Sequence, residues 1–166
     1  MILDKETADK KLRRMALEVA ERNFEKKELI LIGIKENGIV IAKKIAQYLA
    51  EGFTGKLDLI ELSLDKKAPG KIVLDKQADF NNKHILLVDD VANSGRTMLY
   101  ALKPLLDQLP QQVETLALVE RTHKQFPVSV DYVGLSVSTT RHENIVVKVE
   151  GVEVMGAWLE QVNTKG

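Results

Sequence analysis

The stretch His84 to Thr97, HILLVDDVANSGRT, constrains the chain most, because an apolar run ends in two adjacent carboxylates and passes at once into a small, polar, glycine-bearing turn. Ile85, Leu86, Leu87 and Val88 form the unbroken apolar pattern of a strand buried on both faces of a parallel sheet. Asp89 and Asp90 then fall at its C-terminal end. That is the edge at which open α/β sheets bind ligands, since the loops leaving the strands converge there. Val91 to Gly95 cannot prolong the strand and helical periodicity resumes at Arg96, so Asn93 to Thr97 is expected to wrap a helix N-terminus.

Such a turn offers backbone N–H groups that, with the Ser94 and Thr97 hydroxyls, cradle a phosphate dianion. Two carboxylates pointing into the cradle would repel that dianion, whereas they suit the vicinal hydroxyls of a sugar. A ribose carrying a 5-phosphate meets both demands. Two other readings stay open on these residues alone: an ordinary buried strand with acidic and turn residues at its end, and a receiver-type acid pair that holds Mg²⁺. Against the latter, such a pair normally lies close to the start of its domain, and no separate phosphoacceptor strand is evident.

A chain of 166 residues predicts one domain over residues 1–166 with a sizeable core. Lys plus Arg equals Asp plus Glu, 24 of each, so no global charge attracts a polyanion. The sequence has no cysteine, which excludes disulfides, thiolate chemistry and cysteine-based metal sites. The apolar runs are too short to span a bilayer and the first residues lack a signal-peptide core, so the expected location is the cytoplasm.

From the Asp4 N-cap to Asn23, Ala8, Leu12, Met15, Ala16 and Val19 recur at helical spacing. Leu29 to Ile34 reads as a buried strand and Ile39 to Ala50 as a helix, with the glycine-bounded turn Gly33 to Gly38 between them. A strand follows over Lys56 to Leu64. Asp65 to Lys83 is polar, lysine-rich and broken by Pro69-Gly70, which predicts a lid or a solvated β-ribbon. Met98, Leu99, Leu102, Leu105 and Leu106 mark a helix that Pro104 should kink. Val113 to Val119 is a further buried strand, ending at Glu120-Arg121-Thr122-His123 on the ligand edge. Tyr132 to Val137, Ile145 to Val149 and Gly156 to Glu160 read as short strands. The fold class is α/β: a mostly parallel sheet flanked by helices, with a small hood.

VDDVANSGRT resembles the phosphoribosyl-pyrophosphate (PRPP) signature of the type I phosphoribosyltransferases. Within them the chain is most similar to the pyrimidine-operon attenuator and uracil phosphoribosyltransferase family, through ALEVAERN, GIKENGIVIAKKIA, LVDDVANSGRT and LVERTHKQFPVSVDYVGLSVSTTRHENIVVKV. The resemblance implies transfer of 5-phosphoribosyl from PRPP to a nucleobase, uracil in this family, with Mg²⁺ entering alongside PRPP and no dedicated protein metal site. Asp89 and Asp90 would be catalytic. Asn93, Ser94, Gly95, Arg96 and Thr97 would bind the 5-phosphate, and Lys35, Glu36, Asn37 and Gly38 the pyrophosphate. Tyr132, Val133 and Thr139 would line the base. Glu120 stands where 6-oxopurine enzymes usually carry a lysine; an ionised acid cannot donate to a purine carbonyl, which favours a pyrimidine unless Glu120 pairs with a neighbour. The family also implies a homodimer or higher homo-oligomer, and leader RNA as a candidate partner. Zero net charge and Leu17 in place of a polar residue on the first helix argue against RNA. Glu36 and a shortened lid without arginine keep open an RNA-binding or nucleotide-sensing regulator with little turnover.

Overall fold

The computed structural model describes residues 1–162. Elements run α1 (Lys5–Arg22), β1 (Glu28–Ile34), α2 (Asn37–Leu49), β2 (Lys56–Leu64), β3 (Ile72–Leu74), β4 (His84–Ala92), α3 (Arg96–Ala101), α4 (Lys103–Leu106), β5 (Gln112–Arg121), β6 (Tyr132–Val137), β7 (Glu143–Glu150) and β8 (Glu153–Gln161). The main sheet has the order β3-β2-β1-β4-β5-β6, and every pairing in it is parallel except the short antiparallel β3 at one edge. The β7–β8 hairpin stands apart as the hood. Leu3 bridges Ala157 on β8, which ties the chain's start to it.

The unbroken apolar runs follow from two cores sharing one sheet. Leu29, Leu31, Leu86 and Val88 face the core formed with α1, α2 and the hood. Their neighbours Ile30, Ile32, Ile85 and Leu87 face the second core, with Met98, Ala101, Leu105 and Phe80. No position on β1 or β4 can therefore alternate to polar without exposing one core's side of the sheet. The chain after β1 turns toward β2, and the chain after β4 toward β5, so the order reverses between these adjacent central strands. At such a switch point the two outgoing loops part and leave a crevice.

Helix α1 forms as its pattern requires: Asp4 accepts from the Thr7 N–H at 2.7 Å, and Ala8, Leu12, Met15, Ala16 and Val19 are buried. Arg13 lies over the Tyr48 ring at 4.3 Å, and the Tyr48 hydroxyl donates to Asp9, joining α1 to α2. The helix after the signature is broken at Leu102 into α3 and α4, with Pro104 in the first turn of the second piece. This is the interruption expected of Pro104, and beyond it Leu106 is exposed. The lid stretch contains the three-residue β3, paired with β2 between the loops 65–71 and 75–83, so only its middle is a ribbon.

Two base-lining expectations are corrected by strand direction. Tyr132 opens β6 opposite Leu116 and is fully buried at the end of the sheet away from the ligand edge. Its hydroxyl donates to Glu114 at 2.9 Å, Glu114 accepts from Asn23 at 3.2 Å, and Arg22 lies 4.8 Å over the ring. Burial first, and then Glu114, hold the phenol well above its ordinary pKa. Val133 follows in the strand and gives its carbonyl to Arg14 on α1 at 2.7 Å. Both are packing residues. Tyr132→Phe should lower unfolding stability by about 1 to 2 kcal/mol, the value of one buried hydrogen bond, as read by urea denaturation. No loss of stability would remove the Asn23–Glu114–Tyr132 network from the core's account.

Candidate active site

At the C-terminal end of β4, Asp89 is 1% and Asp90 7% exposed. Each carboxylate accepts the backbone N–H of the residue after it: Asp90 N to Asp89 Oδ1 at 2.9 Å and Val91 N to Asp90 Oδ1 at 2.8 Å. Asn37 Nδ2 donates to Asp90 Oδ2 at 3.1 Å, and Lys66 Nζ stands 4.0 Å from Asp89 Oδ1. Burial, and then the neighbouring Asp90 charge, push the Asp89 carboxyl well above the usual range, against a smaller opposing pull from Lys66. Gly38 lets α2 start directly against this strand end, for a Cβ there would lie 2.9 Å from Val88 O and 3.1 Å from Asp89 Oδ1.

Two cavities border the acids, and a third adjoins one of them. A small one of about 80 Å³ is walled by Lys66, Asp89, Val91, Ala92, Asn93, Ser94, Gly95, Thr97 and Met98. Gly95 has φ of 87°, which turns the chain into α3. Ser94 O accepts the Gln125 and Phe126 N–H groups, both at 3.0 Å, so the β5–β6 connection braces this turn. A cleft of about 320 Å³ on the other side is lined by Lys35, Glu36, Asn37, Ser63, Leu64, Lys66 and Asp90. A third cavity of about 220 Å³ is lined by Asn93, Ser94, Arg121, His123, Gln125 and Asn144. The first shares Lys66 with the second, and Asn93 and Ser94 with the third.

The expected residues divide accordingly. Asn93, Ser94, Gly95 and Thr97 line the small cavity, but Arg96 is absent from its wall and instead donates to the Lys67 carbonyl of the lid at 3.2 Å. Lys35, Glu36 and Asn37 line the cleft, while Gly38 lies behind it against Asp89; the Lys35–Glu36 peptide bond is cis. Among the lid lysines only Lys66 comes to an acid of the pair; Lys76 pairs with Asp58 at 2.6 Å instead. Glu120 reaches the ligand edge beside Ala92 but pairs with Lys124 at 3.2 Å. Thr139 follows β6, its Oγ1 buried without a partner.

Arg121 was legible as a strand-end residue but not as a site wall. Its Nη2 donates to Glu143 O at 2.7 Å, leaving Nε buried without a partner, as is Asn93 Oδ1. Gln125 and Asn144 carry no motif, and only the approach of β7 to the β5–β6 connection places them on one cavity. A larger cavity of about 570 Å³ lies between α1, α2 and β8, away from the acids; within its wall Arg13 pairs with Asp9 and Lys44 with Glu153.

The Asp89 shift has a consequence for stability. A raised carboxylate pKa means that unfolding lowers the affinity for the proton, so stability falls as pH rises from the ordinary aspartate value of about 4 to the folded value, and stays lowered above it. Asp89→Asn removes that penalty. The ligand-free variant should melt a few degrees above wild type at pH 7 to 8, and the difference should shrink as pH approaches about 4. A lower melting temperature at neutral pH would contradict a charge burden at Asp89.

The phosphoribosyl transferase domain model matches residues 1–153. The bifunctional protein PyrR of Bacillus pumilus is 36% identical over 165 residues, covering 92% of each chain. The pyrimidine operon regulatory protein of Lactococcus lactis is 36% identical over 154 residues, 89% of this chain and 88% of its own. In fold, the chain is similar to hypoxanthine phosphoribosyltransferase of Trypanosoma cruzi, with a TM-score of 0.77 at 14% identity over 93% and 92% of the two chains. It is also similar to a hypoxanthine-guanine phosphoribosyltransferase of Bacillus anthracis, with a TM-score of 0.69 at 21% identity over 88% and 85%. With a buried acid pair at the switch point and this match over nearly its whole length, the chain belongs to the type I phosphoribosyltransferase family, on the branch of the pyrimidine operon regulators.

Proposed function

We propose that this protein transfers 5-phosphoribosyl from PRPP to uracil and releases pyrophosphate. The observation that carries the reading is a buried acid pair flanked by two cavities, one on Asp89 and one on Asp90, with a third cavity sharing the Asn93–Ser94 wall of the first. PRPP has a monophosphate at one end, a pyrophosphate at the other and a diol between them. The 80 Å³ cradle suits the monophosphate, and the cleft beside Lys35 and Lys66 the pyrophosphate. Asp89 and Asp90, between the two, suit the ribose hydroxyls. The helix after the cradle has six residues, so N–H groups of its first turn and two hydroxyls, rather than a long dipole, would hold the phosphate.

The third cavity suits the base. Asn93, Gln125 and Asn144 each both donate and accept, and Arg121 brings a further donor, a set that matches the carbonyls and imide N–H of a pyrimidinedione. The names of the relatives point to pyrimidine metabolism as well. As the glycosidic bond breaks, C1 gains oxocarbenium character, and these residues act by alignment and by fixing the ribose, without a covalent nucleophile. Among the described residues no cluster of three metal-ligating side chains occurs. Asp89 and Asp90 instead fit the pattern in which one or two carboxylates and the substrate's oxygens share a Mg²⁺. When bound with PRPP, that ion would neutralise the leaving pyrophosphate. Among the described residues no helix is long and apolar enough to cross a membrane.

Incubation of PRPP and Mg²⁺ with a panel of nucleobases, scored for pyrophosphate release, tests the reading; uracil should be the preferred acceptor, and release with purines alone would overturn the choice of base. Gly95→Val forces a side chain into a left-handed turn whose Cβ would meet Phe126 O at 3.2 Å, so calorimetry should show PRPP binding weakened at least about tenfold. Asp90→Asn should lower kcat/KM for PRPP by about 1 to 3 kcal/mol while keeping both limbs of the pH profile. Loss of the acidic limb would make Asp90 a base instead.

A second reading is favoured by the relatives' printed names, bifunctional protein and operon regulatory protein: a regulator that binds RNA or senses nucleotides. Glu36 in the cleft wall opposes pyrophosphate binding and fits low turnover. Zero net charge and the exposed Leu17 oppose strong RNA binding. In filter binding, a structured pyrimidine-leader RNA should bind more weakly than about 1 μM at physiological salt; submicromolar, steeply salt-dependent affinity would favour the regulator.

A further inference from the structure

We infer that Asn37 is a positioning residue that ties the hood to the acid pair, so that the closing of the hood over the base cavity and the aim of Asp90 are set together. The inference rests on the phosphoribosyl-transfer reading for its meaning, but its geometry stands alone. Asn37 opens α2, and its single amide nitrogen donates to Asp90 Oδ2 at 3.1 Å and to Val147 O on β7 at 2.8 Å. An amide nitrogen has two hydrogens, so both are committed. The other oxygen of Asp90 is held by the Val91 N–H, which leaves the Asn37 bond to decide how the carboxylate is turned. Val147 lies on the strand that carries Asn144 to the base cavity, three residues along.

Other ties hold the hood to the body: Leu3 to Ala157, Lys44 to Glu153 at 3.1 Å, and Arg121 to Glu143 O at 2.7 Å. None of them touches an acid of the pair. Movement of β7 therefore lengthens or re-aims the bond that orients Asp90, and a change at Asp90 is felt at β7. A base seated under the hood fixes β7, which fixes Asp90 against the ribose as the bond to the base forms. The cradle for the 5-phosphate lies on the far side of the acids and shares no wall with Asn37, so it is outside this linkage.

Amide hydrogen exchange on the free protein tests the strut, with Asn37→Leu, which keeps the shape of the side chain but has no donor, and Asn37→Gln, which keeps the amide. Amides of β7 around Val147 should exchange about tenfold faster in the Leu variant, those of β1, β4 and β5 should be unchanged, and Gln should recover part of the protection. In turnover the Leu variant should lose about tenfold in kcat and raise KM for uracil by a similar factor; because Asn37 also walls the cleft beside Lys35, its Kd for PRPP should rise as well, and exchange in β7 of the free protein is the readout that isolates the strut. Packing damage alone would speed exchange in β1, β4 and β5 together with β7. Wild-type exchange in β7 of the Leu variant, or an unchanged kcat and uracil KM, overturns the inference. If wild type releases no pyrophosphate with any base, the transfer reading fails by itself, and the exchange comparison alone decides whether the strut exists.

Discussion

Two carboxylates held out of water at the end of the central strand are the constraint around which the rest of the structure is arranged. An isolated buried charge costs several kcal/mol, and two side by side cost more. The fold answers with neighbouring backbone N–H groups, the Asn37 amide and the ammonium of Lys66 4.0 Å away. These leave Asp89 destabilised as an anion. That residual strain toward protonation is useful at a binding site, because hydroxyls or a cation arriving at the pair relieve it. The parallel order explains why the cost falls here: β1 and β4 send their chains to opposite sides, and only at that parting can two loops approach the same carboxylates.

The cavities are linked by shared walls as well as by proximity. The turn after β4 is braced from behind by the β5–β6 connection through Ser94 O, and the same connection supplies His123 and Gln125 to the base cavity. Phosphate cradle and base cavity therefore share one braced wall, whereas the cleft beside Lys35 is built on the β1–α2 turn and the lid. Arg96, expected in the cradle, serves this division: its guanidinium holds the lid at Lys67 O, while its N–H bonds the Ser94 hydroxyl at 3.2 Å. The lid thus rests on the helix that starts in the cradle, and its Lys66 enters both the cradle and the cleft.

The sheet and the acids were readable from sequence because a strand buried on both faces leaves no ambiguity of period, but the strand does not stop at Asp90 as expected: Val91 and Ala92 prolong it, paired with Val119 and Glu120, and the turn begins only at Asn93. The base wall was not. Whether Tyr132 points to the ligand edge depends on the register of β6 against β5, and pairing with Leu116 sets it at the wrong end. Local sequence carries no record of that register. Arg121, Gln125 and Asn144 come together only because β7 crosses near the end of β5, a tertiary event with no motif. Asn37 was readable as a turn residue of the cleft, but its second hydrogen bond, to a strand 110 positions away, was not.

Charge supplies the last step. A polyphosphate ligand needs compensation, yet the chain is neutral overall and the ligand edge is hardly richer. Lys124 is matched by Glu120, and Arg96 is engaged by the lid. The cleft beside β1 has Lys35 and Lys66 against Glu36 and Asp90, so its wall carries no net positive charge. Pyrophosphate entering it alone would meet as much repulsion as attraction, in a site where partial burial weakens screening by salt. Positive charge accompanying the ligand would resolve the balance, which is a physical argument for the proposal that PRPP binds as its Mg²⁺ complex. It also gives Glu36 a bearable place, exposed at the mouth of the cleft, where it opposes the free anion more than the neutralised one.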